Sequence, residues 1–164
     1  ALKAALTGHL VFSTLHTNDA PSSITRLVNM GTPSYLISAA LTLIMAQRLA
    51  RKTCSECRVI DENITPKLLN SIGFLPEQSA RAKIYKGKGC EACGNLGYKG
   101  RMGIYEILEI DREMKAGILS NLQQNELTAL AKKNGFKTMQ DMGQELLLSG
   151  DMSFAEYERV LQSN

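Results

Sequence analysis

The chain of 164 residues has no tryptophan, and aromatic residues make up only 5% of it. That scarcity weighs against a surface that binds single-stranded nucleic acid by stacking bases on aromatic rings. A membrane-spanning run is also missing. The longest apolar stretch, Leu36 to Ala50, is interrupted by Ser38, Thr42, Gln47 and Arg48 and is too short and too polar to cross a bilayer. No secretory segment is visible, and there is no internal repeat or low-complexity tract. The formal charge of +3 is mild and argues neither for nor against a nucleic-acid partner. The hydrophobic fraction of 44% is enough for a real core. The length suits one domain or a domain with an appendage. The chain opens at Ala1-Leu2-Lys3 without a methionine and reads as a fragment that begins inside a helix, which Gly8 ends.

Cysteine is scarce too, but its placement is informative. The only four cysteines stand in two matched pairs, Cys54-Ser-Glu-Cys57 and Cys90-Glu-Ala-Cys93. Two C-x-x-C knuckles can place four thiolates at the corners of a tetrahedron, the arrangement of a structural zinc site. The segment between the pairs is longer than in a compact zinc ribbon. Lys88-Gly89 before the second pair and Gly94-Asn95 after it supply the tight turns that a metal knuckle needs. Two disulfides or two redox dithiols are the other readings. Disulfides are disfavoured without a secretory context. A thioredoxin-like dithiol would call for one pair on a βαβ unit.

The chain divides into three parts, 1–50, 51–100 and 101–164. In the first, Leu10-Val11-Phe12-Ser13-Thr14-Leu15 has the pattern of a buried parallel strand. A polar loop, His16-Thr17-Asn18-Asp19, follows its carboxyl end. Asp19 and Pro21 open a helix with an apolar stripe of Ile24, Leu27 and Val28, closed by Gly31. A second helix follows Thr32-Pro33, with Leu36, Ile37, Ala40, Leu41 and Ile44 facing inward. Strand, polar loop and helix in that order fit an α/β sheet with a site at the strand's end. The second part holds the cysteines, a short helix over Lys67–Gly73 and a short strand over Ala82–Lys86. In the third, Tyr98 to Arg101 is a turn and Met102 to Ile110 a strand. Helices then begin at Asp111, Asn125, Thr138 and Ser153, the last with Glu156 completing a capping box.

Several segments carry a resemblance. Gly8-His9-Leu10-Val11-Phe12-Ser13-Thr14-Leu15-His16-Thr17-Asn18 resembles the histidine box of the secretion ATPases, the assembly motors of type II secretion systems and type IV pili. Arg26-Leu27-Val28-Asn29-Met30-Gly31, Ala46-Gln47-Arg48-Leu49-Ala50-Arg51 and Gly100-Arg101-Met102-Gly103-Ile104-Tyr105-Glu106 are similar to further segments of that family, in its order. The resemblance covers nearly the whole chain. The cysteine pairs favour the assembly motors over the retraction motors, which usually lack such an insert. The resemblance implies the carboxyl-terminal part of a RecA-like P-loop ATPase core, 1–50, a tetracysteine zinc subdomain, 51–100, and a core strand with a helical bundle, 101–164. It further implies a parent that works as a homo-hexamer with ATP and Mg2+. That parent would be cytoplasmic and peripheral at the bacterial inner membrane, against a membrane platform and cytoplasmic assembly proteins, with no direct contact to nucleic acid.

One departure matters. No G-x-x-x-x-G-K-[ST] phosphate loop occurs in the chain, nor the acidic segments that would position magnesium and water. The expectation is therefore a part of a motor domain that does not hydrolyse ATP by itself.

The candidate site residues are few. His16 is either a γ-phosphate sensor or a loop cap, and the resemblance favours the sensor. His9 lies at the far end of the expected strand. Thr14 and Thr17 could orient water or metal-bound phosphate, or simply hydrogen-bond the strand and loop. Arg26 and Arg48, both expected on apolar helices, could clamp phosphate or a carboxylate across a subunit interface, or be solvated charges. Arg101 could pair with Glu106 or with a neighbouring subunit. Lys83, Lys86, Lys88, Lys99 and Arg101 read as a solvated basic face, and Met102, Met114, Met139 and Met142 as core filler. The competing class is a non-enzymatic zinc-ribbon module binding nucleic acid or a protein. It leaves the His16–Asn18 loop and the first apolar helices without a purpose.

Overall fold

A computed structural model of the chain describes residues 1–162. Helices and strands are mixed, and the chain forms two compact units: Ala1–Ala46 with Tyr105–Thr138, and Gln47–Ile104 with the segment from Met139 onward. None of the described helices is long and apolar enough to cross a membrane.

The first unit is built on α2 (Ala20–Asn29), α3 (Ser34–Ala40), α6 (Arg112–Leu119) and α7 (Gln124–Lys133), after a short α1 (Leu2–Leu6). Asp19 starts α2 as expected. Its carboxylate accepts the Ser22 N–H at 2.7 Å, and Pro21 occupies the first turn. Gly31, at φ +81°, follows the helix end. Asp111 caps α6 in the same way, through the Met114 N–H at 2.7 Å. That bond, with the Asn134 amide, holds the Asp111 carboxyl below its ordinary range. The core joins Ala20, Ile24 and Ile37 to Leu108, Ile110, Met114, Ile118, Leu127 and Ala131. Ile24 and Leu27 face inward, whereas Val28 is half exposed. α7 starts from Gln123 rather than Asn125, because Glu126 reaches back to the Gln123 N–H at 2.7 Å and completes a capping pair two residues earlier.

Two expectations about strands are corrected. Residues 10–15 form no strand: Leu10 and Phe12 are 82% and 88% exposed. A strand persists only with a partner ladder for its N–H and C=O groups, and no described strand lies along this segment. Conversely, the second apolar helix stops at Ala40, because Leu41 turns to extended backbone. Leu43–Thr53 is instead β1, which pairs with β4 (Tyr98–Glu109). Arg48 therefore stands on a strand. The turn expected at Tyr98–Arg101 is the start of β4, with Gly100 at φ +80° inside it.

In the second unit, β2 (Arg58–Ile60) and β3 (Tyr85–Gly87) pair antiparallel, Val59 opposite Lys86. α4 (Pro66–Ser71) and α5 (Pro76–Arg81) lie between them in sequence. α8 (Met139–Ser149) runs on to α9 (Phe154–Tyr157) and a π-helical turn, Glu158–Gln162. At Gly143 an added Cβ would sit 2.4 Å from Leu161 and 2.7 Å from the Tyr157 ring, so α8 meets that last turn at glycine.

Ser153 caps α9, but the expected capping box is only half formed. The fully buried Glu156 carboxylate turns instead to Arg51, taking its backbone N–H and its guanidinium at 2.7–2.9 Å, and to Arg159. Arg51 also lies over the Tyr98 ring, 4.1 Å from its centre. Burial alone would raise the Glu156 pKa. The hydrogen bonds from Arg159 and Arg51 overcome it and lower the pKa from 4.5 to about 2. A carboxyl lowered on folding stabilises the native state above its unfolded pKa, here by about 3 kcal/mol at neutral pH, and about 2 kcal/mol of that is gone by pH 3. Glu156→Gln should therefore lower stability at pH 7, and the two proteins should converge as pH falls from about 4.5 toward 2. Denaturant unfolding at pH 7 and pH 3 checks this; an equal acid loss in both proteins would contradict it.

Candidate metal centre and histidine loop

The four cysteines come from two knuckles that the chain folds against each other through glycine. The β2–β3 pairing brings the end of the first knuckle beside the start of the second. The Lys88 N–H donates to the Cys57 carbonyl at 3.0 Å, and the Cys54 N–H to that of Gly97 at 2.9 Å. An added Cβ at Gly87 would lie 1.9 Å from the Gly97 oxygen, and Gly97 sits at φ +76°, so neither position admits a side chain. Gly94 and Asn95 are left-handed, at φ 60° and 61°, as the expected knuckle turn requires.

This geometry places all four sulfurs within 4.8 Å of one another. Cys54–Cys90 and Cys57–Cys93 are 3.9 Å apart, and Cys90–Cys93 3.7 Å. A tetrahedral ion with metal–sulfur bonds of 2.3 Å would space its ligands about 3.8 Å apart. No disulfide joins any of the four cysteines. Backbone N–H groups already point at the sulfurs: Gly89 at Cys57, and Cys90 and Gly97 at Cys93, each 3.3 Å away. Burial raises the Cys93 pKa, but those two N–H groups and the adjacent thiols outweigh it and bring it to about 6. At Cys57, burial and the neighbouring thiols push it up to about 11 against the single Gly89 N–H. The quartet is a four-sulfur cage that could hold one metal ion with all ligands ionised.

The histidine loop lines a groove of about 350 Å³, open to solvent. Its walls are His16, Thr17, Asn18, Asp19, Ser22, Thr25, Arg26, Asn29 and Gln124. His16 is exposed there, and the Thr17 hydroxyl bonds the Ser23 hydroxyl at 2.7 Å. Of the candidate residues, His16, Thr17 and Arg26 thus share one groove. Thr14 is exposed and outside its lining. The Arg48 guanidinium bonds the Val160 carbonyl, which commits it to the carboxyl-terminal turn. His9 bonds the Thr7 hydroxyl at 3.0 Å, away from the groove. The other members of the basic cluster are exposed, whereas Lys86 pairs with Asp61 at 2.8 Å.

Two participants were not legible in the sequence. Gln124 reaches the groove from α7, donating to both Asp19 carboxylate oxygens at 3.2 and 3.3 Å. Glu106, only 2% exposed, accepts the Ala20 N–H at 2.9 Å. Their partners lie 105 and 86 residues away, so no local pattern marks them.

A family model described as Type II/IV secretion system protein matches residues 1–159. The chain belongs to the type II/IV secretion system protein family. It is 42% identical over 156 residues to the type IV pilus assembly ATPase PilB of Thermus thermophilus, an alignment covering 95% of this chain and 17% of that protein. It is 41% identical over 160 residues to PilB of Pseudomonas aeruginosa, covering 98% and 28%. To the type II secretion system protein E of Klebsiella pneumoniae it is 36% identical over 163 residues, covering 99% and 31%. The chain spans less than a third of the length of these family members.

Proposed function

We propose that the chain is part of a hexameric ATP-hydrolysing motor that powers type IV pilus assembly or type II protein secretion. The observation that carries this reading is the similarity, along nearly the whole chain, to proteins named as pilus assembly ATPases and type II secretion proteins. On this reading, residues 1–50 belong to the carboxyl-terminal portion of a RecA-like core, 51–100 to a zinc subdomain, and 101–164 to a returning strand and helical region.

Each candidate residue has a role. Cys54, Cys57, Cys90 and Cys93 hold one structural Zn2+, which supplies no chemistry beyond tethering the two knuckles. His16 senses the γ-phosphate from the groove, with Thr17 beside it and Arg26 as the available cation. Thr14 precedes His16 on the same segment, and its role requires that segment to take up a strand in the longer parent. Arg48 serves nucleotide or an adjacent subunit only if it leaves the Val160 carbonyl. ATP and Mg2+ bind mainly through parent segments outside this sequence, since a phosphate cradle needs the glycine-rich loop and its lysine. The parent is placed in the cytoplasm, peripheral at the inner membrane, and engages the membrane platform and assembly proteins of its machine.

The test is steady-state ATP turnover. The full-length parent should hydrolyse ATP, and the isolated chain should show no rate above a matched blank. Turnover by the isolated chain that survives further purification, or an inactive full-length parent, would contradict the proposal.

A further inference from the structure

We propose that Gln124 is a positioning residue for the His16 loop, tying α7 to the nucleotide-sensing segment; this rests on the function proposed for His16. Three elements hold the base of that loop. On α2, Asp19 caps the Ser22 N–H at 2.7 Å, and Ser23 bonds Thr17 at 2.7 Å. From β4, the buried Glu106 takes the Ala20 N–H at 2.9 Å. From α7, the Gln124 amide grips both Asp19 oxygens. The first two contacts are part of how α2 begins, so their loss would damage the helix. The Gln124 contact is different: Asp19 caps α2 without it. What it adds is a fixed position for Asp19, three residues after His16, relative to a helix distant in sequence. Gln124 is itself held, since the Gln123–Glu126 capping pair fixes the first turn of α7. It also lines the groove beside His16 and Arg26.

A separable tie of this kind can be cut without unfolding the unit. Gln124→Glu keeps the side chain's size and puts a negative charge at a helix start, where it is tolerated, but it faces the Asp19 carboxylate with a like charge. The repair is available: Asp19→Asn still caps α2, and its amide can donate to the carboxylate introduced by Gln124→Glu.

The first measurement is backbone order by NMR relaxation on this chain. Gln124→Glu should lower the order parameters of Thr17 to Asp19 from the rigid range near 0.85 to below about 0.6, leaving the middle of α2 unchanged. The second is turnover in the full-length parent. There Gln124→Glu should lower kcat about tenfold, with KM for ATP within about twofold and the melting temperature and native mass unaltered, as loss of positioning rather than binding predicts. Adding Asp19→Asn should recover kcat to within about threefold of wild type. In a His16→Ala background, Gln124→Glu should have no further effect. Unchanged loop order, unchanged kcat, or an equal kcat loss with and without His16 would each overturn the positioning role. If His16→Ala itself keeps wild-type kcat, the sensing function falls, and the proposed role of Gln124 falls with it.

Discussion

Chelating the metal proposed for the four cysteines should loosen residues from about Thr53 to Gly97 while leaving the α2–α3–α6–α7 core intact. The local structure there is too slight to stand alone. β2 and β3 are three residues each, and a lone two-stranded ribbon is marginal in water. α4 and α5 are six residues each, well below the length at which isolated helices persist. Metal binding by four thiolates is folding free energy for such a segment, of order 10 kcal/mol in small zinc domains. Hydrogen exchange at buried positions such as Leu69 and Ile84 should accelerate at least about a hundredfold on chelation, whereas Leu127 and Ile118 in the other unit keep their protection. Cys93→Ser should reproduce the effect without chelator. Identical exchange with and without chelator would show that the sulfurs are only neighbours.

In the full-length parent, His16→Ala should lower kcat by roughly ten- to a thousandfold, the cost of losing one preorganised donor to a developing charge, and should raise KM for ATP less. A contact that strengthens as charge redistributes acts on the chemical or following conformational step more than on binding. His16 is exposed into the groove that Thr17 and Arg26 also line. His9→Ala should do less, because His9 is engaged with Thr7 outside that groove. Steady-state kinetics on the full-length parent, with its native mass unchanged, decides the matter. If both variants keep wild-type kcat, His16 is a loop residue and the groove does not sense nucleotide.

What the sequence revealed was local chemistry. Ligand spacing, and the left-handed backbone at Gly94 and Asn95, involve only neighbouring residues, so the cysteine cage was legible. The caps at Asp19, Asp111 and Ser153 were legible for the same reason. The misread strands fail in opposite directions. Ala46-Gln47-Arg48-Leu49 consists of good helix formers, yet the ladder with β4 makes it a strand whose burial alternates residue by residue. Leu10-Val11-Phe12 has a strand's composition, yet no described strand pairs with it. Propensity is weak wherever a distant partner decides. Glu156 shows the same limit at a side chain. Its spacing from Ser153 fits a capping box, but Arg51, 105 residues earlier, and Arg159 draw its carboxylate elsewhere.

Native mass spectrometry of the full-length parent, purified without added metal, reads subunit number and bound metal together. A ring of six chains, each carrying one zinc ion, is the predicted species. Chains that carry no metal and titrate as four free thiols, or that stay monomeric with nucleotide present, would contradict a zinc-tethered motor assembled as a hexamer.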